Sequence, residues 1–434
     1  MKITFIKVRM SDTKGYDALK PLVFSIIAEH TSKDIEIEFI DERIEDIPEV
    51  LNSDIIAFSV ETFAARRAYE LARKYKTSMN KIVMGGFHPT IMPDETSKYC
   101  DTVIIGDAED TWPQFIQDAK EGNIKKQYIY SNKHQLSKID YNNSCFKEKK
   151  YHKIGVVQFS RGCKFNCDFC SVKSFYNIGV RQKDMKTIAE EIKEIKEKIL
   201  FFVDDNLFLD EESAIELFHN LKPLKKKWVC QISIDIAFKD NLLKAMKESG
   251  CFMVLIGFES ISTENLKQMN KVANIKIKEY EKAIENIYKF NFMIYGTFVL
   301  GYDSDTKESI QKTLDFANEN NFAVSNFNPL TVYPKTALYD RLKKDNKLIN
   351  ENWWLDKNYK YGDIIFNPNN LSPDELRDTC KDVRFKFNTY KNIFKRLIKN
   401  KANLRNAFVF LIVNIVSRKE IHRKQGEIIG GNVE

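Results

Sequence analysis

The sequence predicts an α/β protein with an N-terminal doubly wound parallel sheet, a partial (βα)6 barrel and a helical C-terminal region. Three observations support this fold class. Short β-branched runs alternate with helical patterns up to about residue 130, the alternation restarts near residue 154, and it fades after about residue 345. Strands that alternate with helices form parallel sheets, because each crossover helix returns the chain to the end of the sheet at which the previous strand began.

The first predicted domain spans residues 1–130. We expect its strands at Ile3–Val8, Ile35–Ile40, Ile55–Val60, Ile82–Met84 and Val103–Ile105, and its helices at Leu19–Glu29, Ala64–Tyr75 and Thr111–Ala119. Doubly wound sheets bind ligands beyond the carboxyl ends of their strands. The turns expected there, at residues 11–15, 85–89 and 106–109, are therefore candidate binding turns.

The rest of the chain divides into a linker, a barrel and a helical region. Residues 131–153 are polar and rich in lysine, which predicts a linker. We expect the barrel over residues 154–345, with strands at Val156–Ser160, Ile199–Val203, Trp228–Ile232, Met253–Ile256, Met293–Val299 and Val324–Leu330. Residues 346–434 should be mostly helical, with helices at Pro373–Lys391 and Ala407–Arg418. Six βα units predict an open barrel rather than a closed barrel of eight.

Composition and charge exclude some classes of protein. The 68 Lys and Arg residues are scattered among 61 Asp and Glu residues, and the net charge is only +7, so we expect no nucleic-acid partner. The N-terminal residues run directly into a strand pattern without the features of a signal peptide. We therefore expect a cytoplasmic protein, in which the eight cysteines are ligands or buried thiols and not disulfides.

Cys163, Cys167 and Cys170 are the most informative residues of the chain. They follow the first predicted barrel strand, at the carboxyl end of the barrel, where the active sites of barrel enzymes lie. Three thiolates can ligate three irons of a 4Fe–4S cluster and leave the fourth iron open. The alternative is a zinc site or three buried thiols, but zinc sites usually pair two C-x-x-C units. The other cysteines offer no such pair: Cys100, Cys145, Cys230, Cys251 and Cys380.

The spacing C-x-x-x-C-x-aromatic-C, with Phe169 at the aromatic place, resembles the signature of the radical S-adenosylmethionine superfamily. The resemblance implies that the amino and carboxylate groups of S-adenosylmethionine chelate the open iron. Reduction of the cluster would then cleave a carbon–sulfur bond and give a 5′-deoxyadenosyl radical, which abstracts hydrogen from an unactivated carbon. An electron donor such as flavodoxin or ferredoxin is also implied.

Asp204 and Asp205 end the second predicted barrel strand, where many members of the superfamily contact the methionine amino group. The common pattern there is Gly-Gly-Glu, from which this sequence departs. The resemblance implies that one of the two carboxylates binds S-adenosylmethionine. The alternative is an acidic cluster at the N-terminus of the helix that starts near Glu211, where negative charge is favourable.

Other superfamily landmarks occur in the same order along the chain. Gly257 to Ser260 reads G-F-E-S, and the resemblance implies that Glu259 and Ser260 lie near the ribose and the methionine part. The alternative is that this pair caps the next helix. Gly301 closes the fifth strand, where it would let the backbone approach the cofactor. Lys335 stands where members of the superfamily usually have glycine, so a cofactor contact is not expected there.

The N-terminal domain resembles the cobalamin-binding domain of cobalamin-dependent radical S-adenosylmethionine enzymes. The resemblance rests on the turns that contain Gly85, Gly86 and His88 and on the turn that begins at Gly106. Small residues there would let the backbone pack on the flat macrocycle. The string D-x-H-x-x-G, whose histidine ligates cobalt in other cobalamin proteins, does not occur. We therefore expect bound cobalamin, with His88 capping the turn rather than ligating cobalt.

The resemblance implies an enzyme that functionalises an sp³ carbon. With cobalamin bound, the expected reaction is methyl transfer to a small-molecule or lipid substrate, such as a secondary metabolite or lipid precursor. Two alternatives stay open, namely a non-methylating radical reaction and a redox sensor that carries the cluster without turnover. Four aromatic residues either line the substrate pocket or, as we favour, pack in the core: Trp353, Trp354, Tyr359 and Tyr361.

The apolar run Ala407–Val416 near the C-terminus allows two interpretations. The basic residues that follow it are Arg418, Lys419, Arg423 and Lys424. Basic residues beside an apolar helix can dock peripherally at an anionic membrane, which would suit a lipid substrate. We favour the other interpretation, in which the apolar face packs on the barrel, because the run is short and Asn414 interrupts it.

Overall fold

The structure is a computed structural model that describes residues 1–10, 18–130, 136–176, 179–207, 211–271, 274 and 280–427. It confirms the predicted fold class: two parallel sheets, each of six strands, precede a helical C-terminal region. The turn expected at residues 11–15 and the first part of the expected linker lie outside the described residues.

The first sheet has the strand order β2-β1-β3-β4-β5-β6, and all its pairs are parallel. Its strands are Lys2–Lys7 (β1), Glu36–Asp41 (β2), Ile55–Ser59 (β3), Lys81–Gly85 (β4), Thr102–Ile105 (β5) and Gln127–Ile129 (β6). The direction of winding reverses between β1 and β3, and ligands bind at such a switch point. The sixth strand was not predicted, because it is short and lies in a polar stretch.

Helices cover both faces of this sheet. They are Leu22–Glu29 (α1), Ala65–Tyr75 (α2), Phe87–Ile91 (α3), Pro93–Thr96 (α4) and Ala108–Lys120 (α5). The buried face of α2 contains Ala65, Ala68 and Ala72, so the helix lies close to the sheet. On the other face, α1 and α5 bury an aromatic core that includes Phe24 and Trp112.

The second sheet is the partial barrel, with strand order β14-β13-β12-β11-β10-β7. The strands of this half are Gly155–Val157 (β7), Ser160–Arg161 (β8), Arg181–Gln182 (β9), Ile199–Phe202 (β10), Lys227–Ile232 (β11), Cys251–Glu259 (β12), Met293–Leu300 (β13) and Val324–Pro329 (β14). The strand predicted at Val156–Ser160 is wrong in extent. It leaves the sheet after Val157, and β8 pairs instead with β9 in an antiparallel ribbon beside the barrel.

The barrel helices are Ser171–Phe175 (α6), Met185–Glu194 (α7), Glu211–Leu221 (α8), Asp240–Ser249 (α9), Thr263–Gln268 (α10), Tyr280–Lys289 (α11), Lys307–Glu319 (α12) and Ala337–Lys344 (α13). The C-terminal helices are Pro373–Phe387 (α14), Tyr390–Lys399 (α15), Lys401–Arg405 (α16) and Ala407–Arg423 (α17). The single helix predicted at Pro373–Lys391 is two helices, because Thr389 caps α15 by accepting a hydrogen bond from the Asn392 backbone.

The last three helices pack across the amino-terminal ends of the barrel strands. Side chains from α15 and α17 form a small core with Phe252 and Met293, which lie near the starts of β12 and β13. The Asn414 amide donates to the carbonyl oxygen of Ala323, which directly precedes β14, at 3.0 Å. This end of the barrel is opposite to the cysteine loop. Among the described helices, none is long and apolar enough to span a bilayer.

Candidate active site

A cavity of about 490 Å³ lies where β1, β3, β4 and β5 end, on the side of the first sheet that faces the cysteine loop. Its floor is mostly apolar and includes Phe5, Ile26, Phe58, Ile104 and Trp112. Its other wall is formed by the barrel, by Gln158, Arg161, Asp205 and by residues of α6, the helix that begins directly after Cys170. The cavity therefore lies at the carboxyl ends of the strands, as predicted, beside the switch point between β1 and β3, and it touches both domains.

Gly85, Gly86 and Gly106 line this cavity, as predicted, but their missing side chains serve the protein's own packing. Gly86 has φ of 103°, and a Cβ there would lie 3.0 Å from the backbone nitrogen of Val60. Gly106 has φ of 85°, and its Cβ would lie 2.7 Å from Tyr130. Gly86 and Gly106 therefore permit left-handed turns whose backbone lines the cavity. That the backbone of these turns packs on a flat macrocycle stays a prediction.

His88 does not line the cavity, and its side chain does not cap the Gly-Gly turn, so the expected capping role is wrong. Its side chain is fully buried, and Nε2 lies 3.1 Å from Oε1 of Glu95. Trp354 from the C-terminal region binds the same carboxylate, and its indole ring lies 5.8 Å from the imidazole. His88 is therefore part of a packed contact between domains. None of the described residues that line the cavity is a histidine.

The three cysteines lie at the carboxyl end of the barrel, with Cys167 buried and Cys163 and Cys170 partly exposed. Burial raises the pKa of Cys167 to about 12, while the nearby Lys271 ammonium acts to lower it. In the described residues, no group of three or more His, Cys, Asp or Glu side chains is arranged to hold a metal ion. In a 4Fe–4S cluster, each thiolate would bind its own iron.

The loop that carries the cysteines is fixed to the other side of the barrel, by residues at the end of α10, in α13 and after β13. The backbone nitrogen of Asp168 donates to the Met269 carbonyl at 3.0 Å, and the Asp168 carbonyl accepts from Leu338 at 3.0 Å. Its carboxylate accepts from the Tyr302 hydroxyl at 2.5 Å. Phe169 is half-buried, and its ring meets Tyr302 edge-on at 6.3 Å. The aromatic residue of the motif therefore packs on Tyr302, whose hydroxyl binds the neighbouring Asp168 carboxylate.

Asp204 and Asp205 bind the backbone directly before Cys163. The buried Asp204 carboxylate accepts hydrogen bonds from the backbone nitrogens of Phe159 and Ser160 and, at 2.6 Å, from the Ser160 hydroxyl. Asp205 accepts from the backbone nitrogen of Gly162 at 2.9 Å. Burial raises the pKa of Asp204 to about 6. The described bonds of these carboxylates thus support the cysteine loop rather than the N-terminus of α8.

Sequence reasoning missed a buried ionic contact between the two domains. Arg161, just before the cysteine motif, lies 3.1 Å from Oδ2 of Asp107 and 2.7 Å from Oε1 of Glu109. Arg181 of β9 binds the same Asp107 carboxylate. The two carboxylates follow Gly106, so they belong to a turn that lines the cavity. The available signal was the presence of Arg161 beside the cysteine motif and of two acids in the predicted binding turn.

Glu259 ends β12 in the left-handed region, with φ of 62°, which is strained for a residue with a side chain. Its Oε1 accepts from Lys271 Nζ at 2.9 Å. A Cβ on Gly257 would lie 2.1 Å from that oxygen, so the glycine makes room for the carboxylate. Ser260 accepts from the backbone of Ser262 at 3.0 Å, and Ser262 itself caps α10. Glu259 and Ser260 are therefore not the helix cap.

Gly301 and Lys335 both have left-handed backbones, with φ of 107° and 62°. A Cβ on Gly301 would lie 2.5 Å from Leu376 of α14. Gly301 therefore lets the backbone lie close to helix α14 of the C-terminal region, and it does not face open space for a cofactor. Lys335 keeps the conformation that glycine favours, so its turn is formed despite the substitution.

The four aromatic residues of the C-terminal region pack mainly against the protein. Trp353 and Trp354 are fully buried, and the Trp353 indole donates to the carbonyl of Val332 at 2.9 Å. Tyr359 and Tyr361 are half-buried around Phe63 of the first domain, at ring distances of 6.4 and 4.7 Å. The preferred interpretation, core packing, is confirmed for the two tryptophans.

Two family models match the chain. The model described as "Radical SAM superfamily" matches residues 157–317, which include all three cysteines of the motif. The model described as "B12 binding domain" matches residues 23–116, which include the cavity turns at Gly85 and Gly106. The two matches follow the order in which the two sheets occur.

Curated relatives match over almost the whole chain. The chain is 28% identical over 414 residues to the bacteriochlorophyllide d C-12(1)-methyltransferase of Chlorobaculum tepidum, covering 92% of this chain and 89% of the relative. It is 24% identical over 431 residues to the C-8(2)-methyltransferase of the same organism, covering 95% and 94%. The solved structure of OxsB, a cobalamin-dependent S-adenosylmethionine radical enzyme with aqua-cobalamin bound, has the same fold. The two share a TM-score of 0.64 and 13% identity, over 97% of this chain and 72% of that one.

Proposed function

Because this chain belongs to the radical S-adenosylmethionine enzymes that carry a cobalamin-binding domain, we propose that it methylates an unactivated carbon of an organic substrate. The observation that carries the proposal is the cavity in the first domain. One wall of this cavity is formed by barrel residues on either side of the cysteine motif, such as Arg161 and Ser171. Methyl transfer at an unreactive carbon needs a radical source and a methyl donor close together. The two sheets bring the two candidate sites to one junction.

The proposed division of the chain follows the order of these sites. Residues 1–130 hold cobalamin, residues 131–153 link the domains, residues 154–345 form the radical barrel, and residues 346–434 close the structure. An apolar floor and a wall shared with the barrel suit a large, mostly apolar cofactor face. The absence of histidine from the described lining suits cobalamin bound without a protein ligand on cobalt.

We assign the three cysteines as cluster ligands and the end of β12 as part of the S-adenosylmethionine site. When bound there, the cluster with S-adenosylmethionine supplies the radical that abstracts hydrogen, and cobalamin supplies the methyl group. Glu259 and Lys271, paired at 2.9 Å, offer one acceptor and one donor beside the cysteines. Such a charged pair can orient the zwitterionic methionine group. Asp204 and Asp205 hold the cysteine loop in place.

For the substrate, we propose a large ring-containing molecule of low polarity, such as a tetrapyrrole or polycyclic lipid. The support is the similarity, over nearly the full length of both chains, to two enzymes named for methylating bacteriochlorophyllide d. Because the sequence identity is 28%, we propose the class of substrate and not the individual compound.

The test is anaerobic turnover of protein reconstituted with iron, sulfide and cobalamin, with dithionite as the electron donor and S-adenosylmethionine carrying a deuterated methyl group. Bacteriochlorophyllide d and an extract of apolar metabolites serve as substrates. We expect a product heavier by one labelled methyl group, with equal amounts of 5′-deoxyadenosine and S-adenosylhomocysteine. The matched control is the Cys163→Ala variant, which should form neither product.

Two results would contradict methyl transfer. Formation of 5′-deoxyadenosine without S-adenosylhomocysteine, and with an unlabelled product, would indicate a non-methylating radical reaction. Failure to cleave S-adenosylmethionine at all, with the cluster intact and reduced, would indicate a sensor. Optical spectra taken before turnover separate loss of cobalamin from loss of the cluster, because each has its own absorption.

A further inference from the structure

The last long helix, α17, presents an apolar stripe to the outside of the protein. Its exposed side chains, from 39% to 77% accessible, are Phe408, Leu411, Ile412, Ile415 and Val416. They recur at intervals of three and four residues, so they share one helical face. Large apolar residues grouped in this way on a surface mark an interaction site rather than chance exposure.

The inner face of the same helix combines apolar Phe410, which packs on the barrel, with a polar residue, Asn414. Asn414 is 1% exposed, and its Oδ1 accepts from Arg396 at 3.0 Å while its amide donates to Ala323 at 3.0 Å. A helix on a surface that faces water places its polar residues outward. Over Ala407–Val416 the outer face instead carries large apolar side chains, so it suits an apolar environment. The interpretation preferred from the sequence, in which the apolar face packs on the barrel, is confirmed for Phe410 but does not account for the exposed stripe.

Helix α15 extends this surface and adds charge. Tyr390, Phe394 and Ile398 are 50% to 68% exposed and lie one turn apart along one face. An exposed lysine follows each of them in the sequence: Lys391, Lys395 and Lys399. A helix with apolar residues beside a row of lysines is typical of segments that lie in a membrane interface.

The accessible charge of this segment is positive. Residues 388–419 contain no Asp or Glu, and their accessible basic residues are Lys391, Lys395, Lys399, Lys401, Arg405, Arg418 and Lys419. The guanidinium of Arg418 lies 4.2 Å from the ring centre of Tyr390 and so connects α17 to α15. The surface is therefore continuous, apolar at its centre and cationic around it.

We propose that the exposed faces of α15, α16 and α17 dock this enzyme onto a membrane with anionic headgroups. The apolar side chains would enter the interface, and the lysines would contact the headgroups. A second copy of the chain fits less well, because a two-fold contact would set two cationic surfaces against each other. Nucleic acid also fits less well, because it offers phosphates but no partner for the apolar centre.

The docking surface lies at the end of the barrel opposite to the cysteine loop. Its helices pack on the starts of β12 and β13, whereas the cysteines follow the carboxyl end of the first strand. Docking would therefore hold the enzyme at the membrane with its cysteine loop facing away. This placement does not support direct entry of a bilayer lipid through the docked face.

The test is co-sedimentation of full-length reconstituted protein at low salt with two kinds of vesicle. One kind is phosphatidylcholine alone, and the other contains equal parts of phosphatidylcholine and phosphatidylglycerol. We expect the protein to pellet with the second kind only. Replacing Lys391, Lys395 and Lys399 by Gln should weaken partitioning about a hundredfold, since each lysine near an anionic surface contributes about a fivefold gain.

Two further variants separate this surface from general charge. The variant Phe394→Ser with Phe408→Ser keeps every lysine and should also release the protein. The charge-matched control replaces three exposed lysines elsewhere by Gln, and should pellet like the wild type: Lys33, Lys282 and Lys312. Equal iron content and equal circular dichroism show that all variants are folded, as expected for exposed positions.

Three outcomes would overturn the proposal. The first is wild-type protein that stays in the supernatant with anionic vesicles. The second is a control variant that loses binding as much as the surface variant, which would indicate attraction by net charge. The third is a dimer in sedimentation velocity that Phe408→Ser dissociates, because a second copy would then occupy this surface.

Discussion

Replacing Asp204 by Asn should loosen the backbone that leads into the cysteine motif. The Asp204 carboxylate is 2% exposed and accepts hydrogen bonds from Phe159 and from both the backbone and the hydroxyl of Ser160. An amide keeps one acceptor oxygen but points a donor at these donors, so at least one of them loses its partner. A buried group without its partner costs about 1–3 kcal/mol, which corresponds to about 5- to 150-fold faster amide exchange.

Hydrogen exchange with residue resolution checks this prediction. In the anaerobic, cluster-loaded protein, Asp204→Asn should speed exchange at Phe159 and Ser160. The matched variant Asp205→Asn should affect mainly Gly162, whose nitrogen binds that carboxylate at 2.9 Å. Unchanged exchange at Ser160, together with weaker binding of S-adenosylmethionine, would refute the anchoring argument. Asp204 would then act on the cofactor, as the superfamily resemblance implies.

Four other perturbations have defined outcomes. In the wild type, protection of the Ser160 amide against exchange should fall as pH rises from about 4 to about 6. The reason is that burial raises the pKa of Asp204 from 3.8 to about 6, so ionisation of this carboxyl in the folded protein costs stability. In Asp204→Asn, the protection factor of Ser160 should no longer depend on pH over this range. Replacing Cys163, Cys167 and Cys170 together by Ala should abolish iron binding, and a retained 4Fe–4S spectrum would disprove the assignment. His88→Ala should keep cobalamin, measured by its absorption, but lower stability by about 1–3 kcal/mol, because Glu95 loses a buried partner. Arg161→Gln should weaken retention of cobalamin while iron content stays unchanged, because the buried Glu109 loses its cation at a cost of about 3–5 kcal/mol, whereas Asp107 keeps Arg181.

The fold was predictable because its signals are local. The apolar runs of the two sheets are short and β-branched, and all but β6 and the paired ribbon were expected near their observed positions. The prediction failed at Val156–Ser160, where the local pattern continues but the strand stops at Val157. The cause is Asp204, which holds Ser160 from the next strand of the barrel. Such a long-range contact has no local signature.

The site was predictable to the extent that its chemistry lies in one stretch of sequence. The spacing of the cysteines is such a signal, as are the Gly-Gly and Gly-Asp turns at the cavity. The direction in which each side chain points cannot be predicted from such local signals. His88 belongs to a turn that was predicted to bind the cofactor, yet its ring lies beside Glu95 and Trp354, and Trp354 comes from the C-terminal region. Its role depends on a partner that no spacing rule connects to it.

The same limit applies at α17. The run Ala407–Val416 predicts a helix correctly, and the expected packing on the barrel is confirmed for Phe410. The inward position of Asn414 was not predictable, because it depends on its buried partners Arg396 and Ala323. Apolar residues then face outward. Helical periodicity gives the faces of a helix, but the neighbours decide which face is buried.

Arg161 explains how two cofactor sites on separate domains can keep a fixed geometry. It lies two residues before Cys163 and binds two carboxylates of the turn that lines the cavity, and all three side chains are buried. Moving one domain without the other would leave these charges unpaired in a dry environment, at a cost of about 3–5 kcal/mol. Proximity accelerates a transfer only while the reacting groups stay in place. The ionic contact therefore serves the proposed reaction by holding the cavity turn and the cysteine loop as one unit.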